Sequence, residues 1–135
     1  MRYLLDTNTV IAAMKGRPEV RERLEHIPLS SLILSPIVLG ELEFGAEKSS
    51  DPERNYSRLA ELAGRLPMAA LDAASTRHYA RVRAALESQG MPIGANDTWI
   101  AAHALALDAA VVTDNVGEFS RVPGLAVENW LRSEP

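Results

Sequence analysis

Three observations predict an α/β fold built on a parallel sheet of short strands. Apolar runs of four or five residues alternate with stretches of helical periodicity along the chain. Capping and turn-forming residues stand at most of the junctions between them. No internal repeat, low-complexity tract or linker divides the chain, so its 135 residues are read as one domain, 1–135. Such alternation implies right-handed βαβ units, with helices covering both faces of the sheet.

The first strand is the apolar run around Tyr3-Leu4-Leu5. A helix follows, with Thr7 or Asn8 as its cap and Val10, Ile11 and Met14 at helical spacing. Gly16 ends that helix, and Pro18 opens a second, arginine-rich one running to about His26. Leu32-Ile33-Leu34 reads as the second strand. Ser35 then caps a helix with Pro36 in its first position, carrying Val38, Leu39, Leu42 and Phe44. Asp51-Pro52-Glu53 starts another helix, which Pro67 stops after about Leu66. Met68–Leu71 is expected to be a third strand, and Asp72 to cap a long helix ending near Gly90. After the loop Gly90–Gly94, Asn96 or Asp97 begins the next helix. Ala110–Thr113 is the clearest strand of all, and a loop to Gly124 leads to a last short strand near Ala126-Val127.

Composition narrows the function. Without cysteine there are no disulfides, thiolate metal sites or cysteine nucleophiles. No apolar run approaches the roughly 20 residues that span a bilayer, and Asp6 interrupts any signal-peptide core, so a soluble cytoplasmic protein is expected. A net charge of −4 argues against a phosphate-rich partner, since binding phosphates wants a basic surface. That objection weakens because the only lysines are Lys15 and Lys48. The rest of the positive charge is arginine, which grips phosphate bidentately.

Ligand sites in open parallel sheets lie beyond the carboxyl ends of the strands. Asp6 follows the first strand, and Asp114 follows Val111-Val112-Thr113. Glu41 lies between Leu39 and Leu42, and Asp97 opens a helix whose Ile100, Ala101, Ala104 and Leu105 read as buried. Each of these has an ordinary explanation as a cap, a turn residue or a helix-dipole partner. Together at one sheet edge they repel one another unless a cation sits between them. Hard cations such as Mg²⁺ or Mn²⁺ take oxygen ligands, and the chemistry that fits is phosphodiester hydrolysis.

The segments LLDTN, ELEFGAEKS, GANDTWIAAHAL and VVTDNVGEFSRVPGLAVENW, in that order, resemble the motifs of PIN-domain ribonucleases of the VapC toxin type, from Tyr3 to Trp130. Carried over position by position, the family's acids fall on Asp6, Glu41 and Asp97. A fourth site, Asp or Asn among relatives, falls on Asp114, with Asn115 as its neighbour. The resemblance makes Asp6, Glu41, Asp97 and Asp114 catalytic, with Asp6, Asp97 and Asp114 as metal ligands. Asn8, Thr113 and Asn115 become supporting residues. It also implies a three-layer α/β/α domain, a homodimer, and dependence on Mg²⁺ or Mn²⁺. The implied activity is that of an endoribonuclease toxin hydrolysing structured RNA, with tRNA near the anticodon, and initiator tRNA in particular, as the expected substrate. A VapB-type antitoxin is the implied partner, and DNA is touched only through the antitoxin complex.

Lys15, Arg17 and Arg21 form the basic cluster expected to meet RNA; their other reading is a solvated helix surface paired with Glu19, Glu22 and Glu25. Three rival functions share parts of the pattern. A haloacid-dehalogenase-like phosphatase needs a second acid where Asn8 stands, and a lysine in the second half of the chain. A response-regulator receiver domain needs paired acids after its first strand. A PIN fold serving only as an interaction scaffold would usually have lost one of the acids, and all are present here.

Overall fold

The computed structural model describes residues 1–132. The predicted domain span of 1–135 includes residues 133–135, which lie outside the described residues. Four parallel strands form the sheet among those described, in the order β2-β1-β3-β4. They are β1 (Tyr3–Leu5), β2 (Leu32–Ile33), β3 (Ala110–Val112) and β4 (Val127–Glu128). In register, Leu4 faces Ile33 on one side and Val111 on the other, and Val111 in turn faces Val127. The first strand in the chain is therefore central.

Helices flank the sheet: α1 (Thr7–Met14), α2 (Pro18–Glu25), α3 (Pro36–Lys48), α4 (Pro52–Ala63), α5 (Ala73–Ser88), α6 (Ala95–Ala106) and α7 (Val116–Phe119). None of them is long and apolar enough to cross a membrane. The core is continuous. Leu4, Ile33, Leu34 and Val111 from the strand segments meet Val10, Val38, Leu86, Ile100 and Phe119 from the helices, all with no more than 2% of their surface exposed. At about 1.5–3 kcal/mol for each fully buried large side chain, these contacts are the main favourable contribution to folding.

Several junctions differ from expectation, each for a local reason. The cap of α1 is Asp6 rather than Thr7 or Asn8: its Oδ1 accepts the Thr9 N–H at 2.9 Å. Helix α6 starts at Ala95 after Gly94, which leaves Asp97 inside its first turn. The segment Met68–Leu71 shrinks to a single bridge between Met68 and Leu34. Two residues later the Ala70 carbonyl accepts a hydrogen bond from His103, and Asp72 then caps α5, so the chain leaves the sheet edge. The stretch read as a plain loop before Gly124 contains α7.

Phe44 is the clearest departure in burial. Val38, Leu42 and Ala46 face inward at four-residue spacing, while Phe44, two residues from Leu42, points to the opposite side of α3 with 63% of its surface exposed.

His103 is fully buried and bonded through both ring nitrogens. Nε2 is 3.1 Å from the Ala70 carbonyl, which can only accept. Nδ1 is 3.0 Å from the Ser35 hydroxyl, whose oxygen also accepts the Ile37 N–H. The arrangement is satisfied by a neutral ring with its proton on Nε2, and burial favours that form by pushing the imidazole pKa down. His103 ties α6 to the ends of β2 and the Met68 bridge. It is structural.

Candidate active site

Because all four strands run the same way, Asp6, Ser35, Thr113 and Asn129 leave the sheet at one edge. Asp6 is held there from two sides. While Oδ1 caps α1, Oδ2 accepts the Thr113 hydroxyl at 2.6 Å, and only 7% of the residue is exposed. Donors aimed at both oxygens fix the direction in which the carboxylate points. Thr9, the next residue but one after Thr7, sends its hydroxyl into the sheet, donating to the Val112 carbonyl at 3.1 Å.

Glu41 enters from α3, half-buried, and its Oε1 accepts the Thr7 hydroxyl at 2.9 Å. With Asp6 taking the capping role, the side chain of Thr7 is free to make this bond. Asp97 enters from α6. Its carboxyl pKa is pushed up to about 7, first by burial, then by a hydrogen bond with Glu118, and further by the charges of Glu118, Glu41 and Asp6. Glu118 comes from α7, where its Oε2 also accepts the Asn115 side-chain N–H at 2.8 Å. The Asn115 backbone N–H in turn donates to the Thr113 hydroxyl at 2.9 Å.

The structure thus brings Asp6, Glu41 and Asp97 into mutual electrostatic reach, with Thr113 and Asn115 beside them. Glu118 joins this group although the sequence reading passed over it; its one signal was an acid directly before the buried Phe119. Asp114 has partners of its own. Its Oδ1 accepts from the Asn129 side chain at 3.0 Å and pairs with Arg132 Nε at 2.9 Å. Asn8 is exposed on α1, and the hydrogen bonds from that helix to the acids come from its neighbours Thr7 and Thr9.

Of the expected basic residues, Lys15 lines an open cleft of about 710 Å³ that Glu41 also lines. Arg17 pairs with Glu19 at 3.3 Å on the surface, a contact worth at most about 1 kcal/mol. Arg21 lies over Gly16, whose φ of +74° is a backbone conformation that favours glycine.

No ion pair among the described residues involves Asp6, Glu41, Asp97 or Glu118. Nor do three acids or histidines among those residues stand close enough to make a ready three-ligand metal site. The donor set is oxygen only, rich in uncompensated negative charge and free of imidazole. Such a set suits a small hard cation held by one or two carboxylates that keeps much of its water.

The shifted carboxyl leads to a first expectation. A carboxyl pKa raised by folding contributes stability that is fully present below the unfolded value, near 4, and is lost as pH rises through about 7. In EDTA, Asp97→Asn should therefore raise the thermal midpoint at pH 8 and leave it nearly unchanged at pH 4. Melting curves of both proteins across that range check this, and a lower midpoint for the variant at pH 8 contradicts it.

Residues 3–125 match the family model described as PIN domain. The chain is 40% identical over 131 residues to the tRNA(fMet)-specific endonuclease VapC of Salmonella typhimurium, covering 96% of this chain and 98% of that one. It is 41% identical over 132 residues to ribonuclease VapC2 of Rickettsia felis, with coverage of 96% and 98%. Among solved structures it is similar to the DNA-bound VapBC of Salmonella typhimurium, with a TM-score of 0.90, 40% identity, and coverage of 96% of this chain and 98% of that one.

Proposed function

The chain belongs to the PIN-domain family and, within it, to the VapC ribonucleases, and from that premise we propose that it is a divalent-metal-dependent endoribonuclease toxin, held in check by a VapB-type antitoxin. What supports the metal-dependent reading is the gathering of Asp6, Glu41, Asp97 and Glu118, where burial and like charge push the Asp97 carboxyl up to about 7 and none of the four has an ion pair among the described residues. The relative from Salmonella typhimurium is named for tRNA(fMet), and initiator tRNA, cut in its anticodon loop, is the substrate read for this chain. Unstacked loop bases can be splayed and held, whereas the deep groove of an A-form helix admits no side chain.

Mg²⁺ or Mn²⁺ would be held by Asp6 and Asp97, with Glu41 and Glu118 arranged around it. When bound, an ion of this kind lowers the pKa of water and neutralises charge building on phosphate. The protein's own residues do the rest. Asp6 is held in a set direction by the Thr9 N–H and the Thr113 hydroxyl. Glu41 is oriented by Thr7. The Asp97 carboxyl, pushed up to about 7 by burial and its acidic neighbours, would give up its proton to hold the cation, so metal binding should strengthen as pH rises. Asp114, at the turn after β3, accepts from Asn129 and pairs with Arg132, and would lend its charge to the cation from there.

In this reading the antitoxin lays an apolar segment in the cleft between α1, α3 and α4, walled by Leu24, Leu42, Leu59 and Leu62, and presents a basic side chain to the acids. The toxin works in the cytoplasm as a homodimer, and DNA is reached through the antitoxin alone. The test is cleavage of total tRNA by the purified, antitoxin-free chain. Discrete fragments are expected with Mg²⁺ or Mn²⁺ and none in EDTA. Equal fragments in EDTA, or none in either metal, would overturn the proposal.

A further inference from the structure

We infer that Phe44 is the platform on which an unpaired RNA base beside the scissile phosphate stacks; this rests on the nuclease reading above. The chain has seven aromatic residues, and six are committed. Phe119 is fully buried. Tyr3 packs against Trp130 with centroids 5.3 Å apart, and Tyr79 stacks on Trp99 at 3.8 Å with their planes within 11°. Tyr56 packs on the core and hydrogen-bonds Glu47. Phe44 alone has an exposed ring that meets no other ring. An exposed phenylalanine is ordinary by itself; its position gives this one meaning.

Phe44 follows Glu41 by three residues on α3, so the two share a face about 4.5 Å apart along the axis. A base resting on the ring would lie beside whatever phosphate the acids address. The surface around the ring is low, because Gly40 and Gly45 flank it and a Cβ at either position would meet no atom within 4 Å. The Lys48 ammonium stands 5.1 Å from the ring centroid, and Lys48 forms no ion pair among the described residues. Its flexible stem lets the cation swing from the ring to a phosphate while a base takes the ring face. An aromatic face with an adjacent cation is the combination by which proteins hold single-stranded nucleic acid, largely without regard to which base is present.

The experiment measures kcat/KM for a tRNA the wild type cleaves, and binding of an RNA hairpin with 2-aminopurine in its loop to chains also carrying Asp6→Asn. Phe44→Ala and Phe44→Leu should each lower kcat/KM by roughly tenfold or more, with most of the loss in KM, while Phe44→Trp restores it. The 2-aminopurine fluorescence should be quenched on binding by the chain that keeps Phe44 and not by the one carrying Phe44→Ala. All variants should melt with the wild type, since the ring is exposed. Unchanged kinetics in Phe44→Ala and Phe44→Leu, with wild type active, overturn the stacking role and leave the nuclease intact. Unchanged kinetics together with weakened antitoxin binding or self-association overturn it too, and give the ring to a protein partner. A wild type that cuts no RNA in either metal removes both readings together.

Discussion

Replacing Asp6 by asparagine is expected to lower metal-dependent RNA cleavage by roughly three orders of magnitude while leaving the fold in place. The substitution is clean because asparagine caps helices as well as aspartate does, so the amide oxygen can keep the Thr9 N–H that Oδ1 now accepts. On the other side the Thr113 hydroxyl, which donates at 2.6 Å, turns to accept from the new NH₂. What disappears is the charge. The thermal midpoint in EDTA should stay within a few degrees of wild type, and the rise in midpoint on adding Mn²⁺ should vanish. A variant that cleaves within about tenfold of wild type would show that Asp6 is a cap and nothing more.

Phe119→Ala carries the largest expected effect on stability. The ring is fully buried at the end of a four-residue helix that has little else to hold it. Emptying such a site costs about 3–5 kcal/mol, a large part of the roughly 5–15 kcal/mol that holds a domain folded. Chemical denaturation should show that loss, and the thermal midpoint should fall by roughly 10–20 °C. Glu118 precedes Phe119, so the acid should also lose its hold on Asp97. Activity should therefore fall even at temperatures where the variant is folded. A loss under 1 kcal/mol would mean that α7 is held by its turns and not by this ring.

The contrast between Phe119 and Phe44 shows what the sequence made legible. Strands β1 and β3, with Asp6 directly after β1, were readable because a short apolar run bounded by polar residues says both buried and ended. Glu41 and Asp97 stood out as acids within apolar helical patterns. Glu118 did not, since a four-residue helix between Asn115 and Gly124 has too little length for periodicity to register. The bond from Thr7 to Glu41 was equally hidden, because it depended on Asp6, and not Thr7 or Asn8, taking the cap. The partners of Asp114 lie 15 and 18 residues further along the chain, and no local pattern announces such pairings. Phe44 was placed with the apolar residues of its helix, and only the burial of Leu42 and Ala46 revealed that it faces the other way.

The central position of β1 bears on when the protein becomes dangerous to the cell that makes it. Its pairing with β3 joins residues more than a hundred positions apart, and the Thr113 hydroxyl reaches Asp6 across 107. Contacts of such separation form late, since closing so long a loop must precede any gain from it. Emerging from the ribosome, the chain exposes Asp6 first and Thr113, Asn115 and Glu118 almost last. The pocket around Asp6 therefore cannot be completed until the β3 segment and the residues just after it have been made.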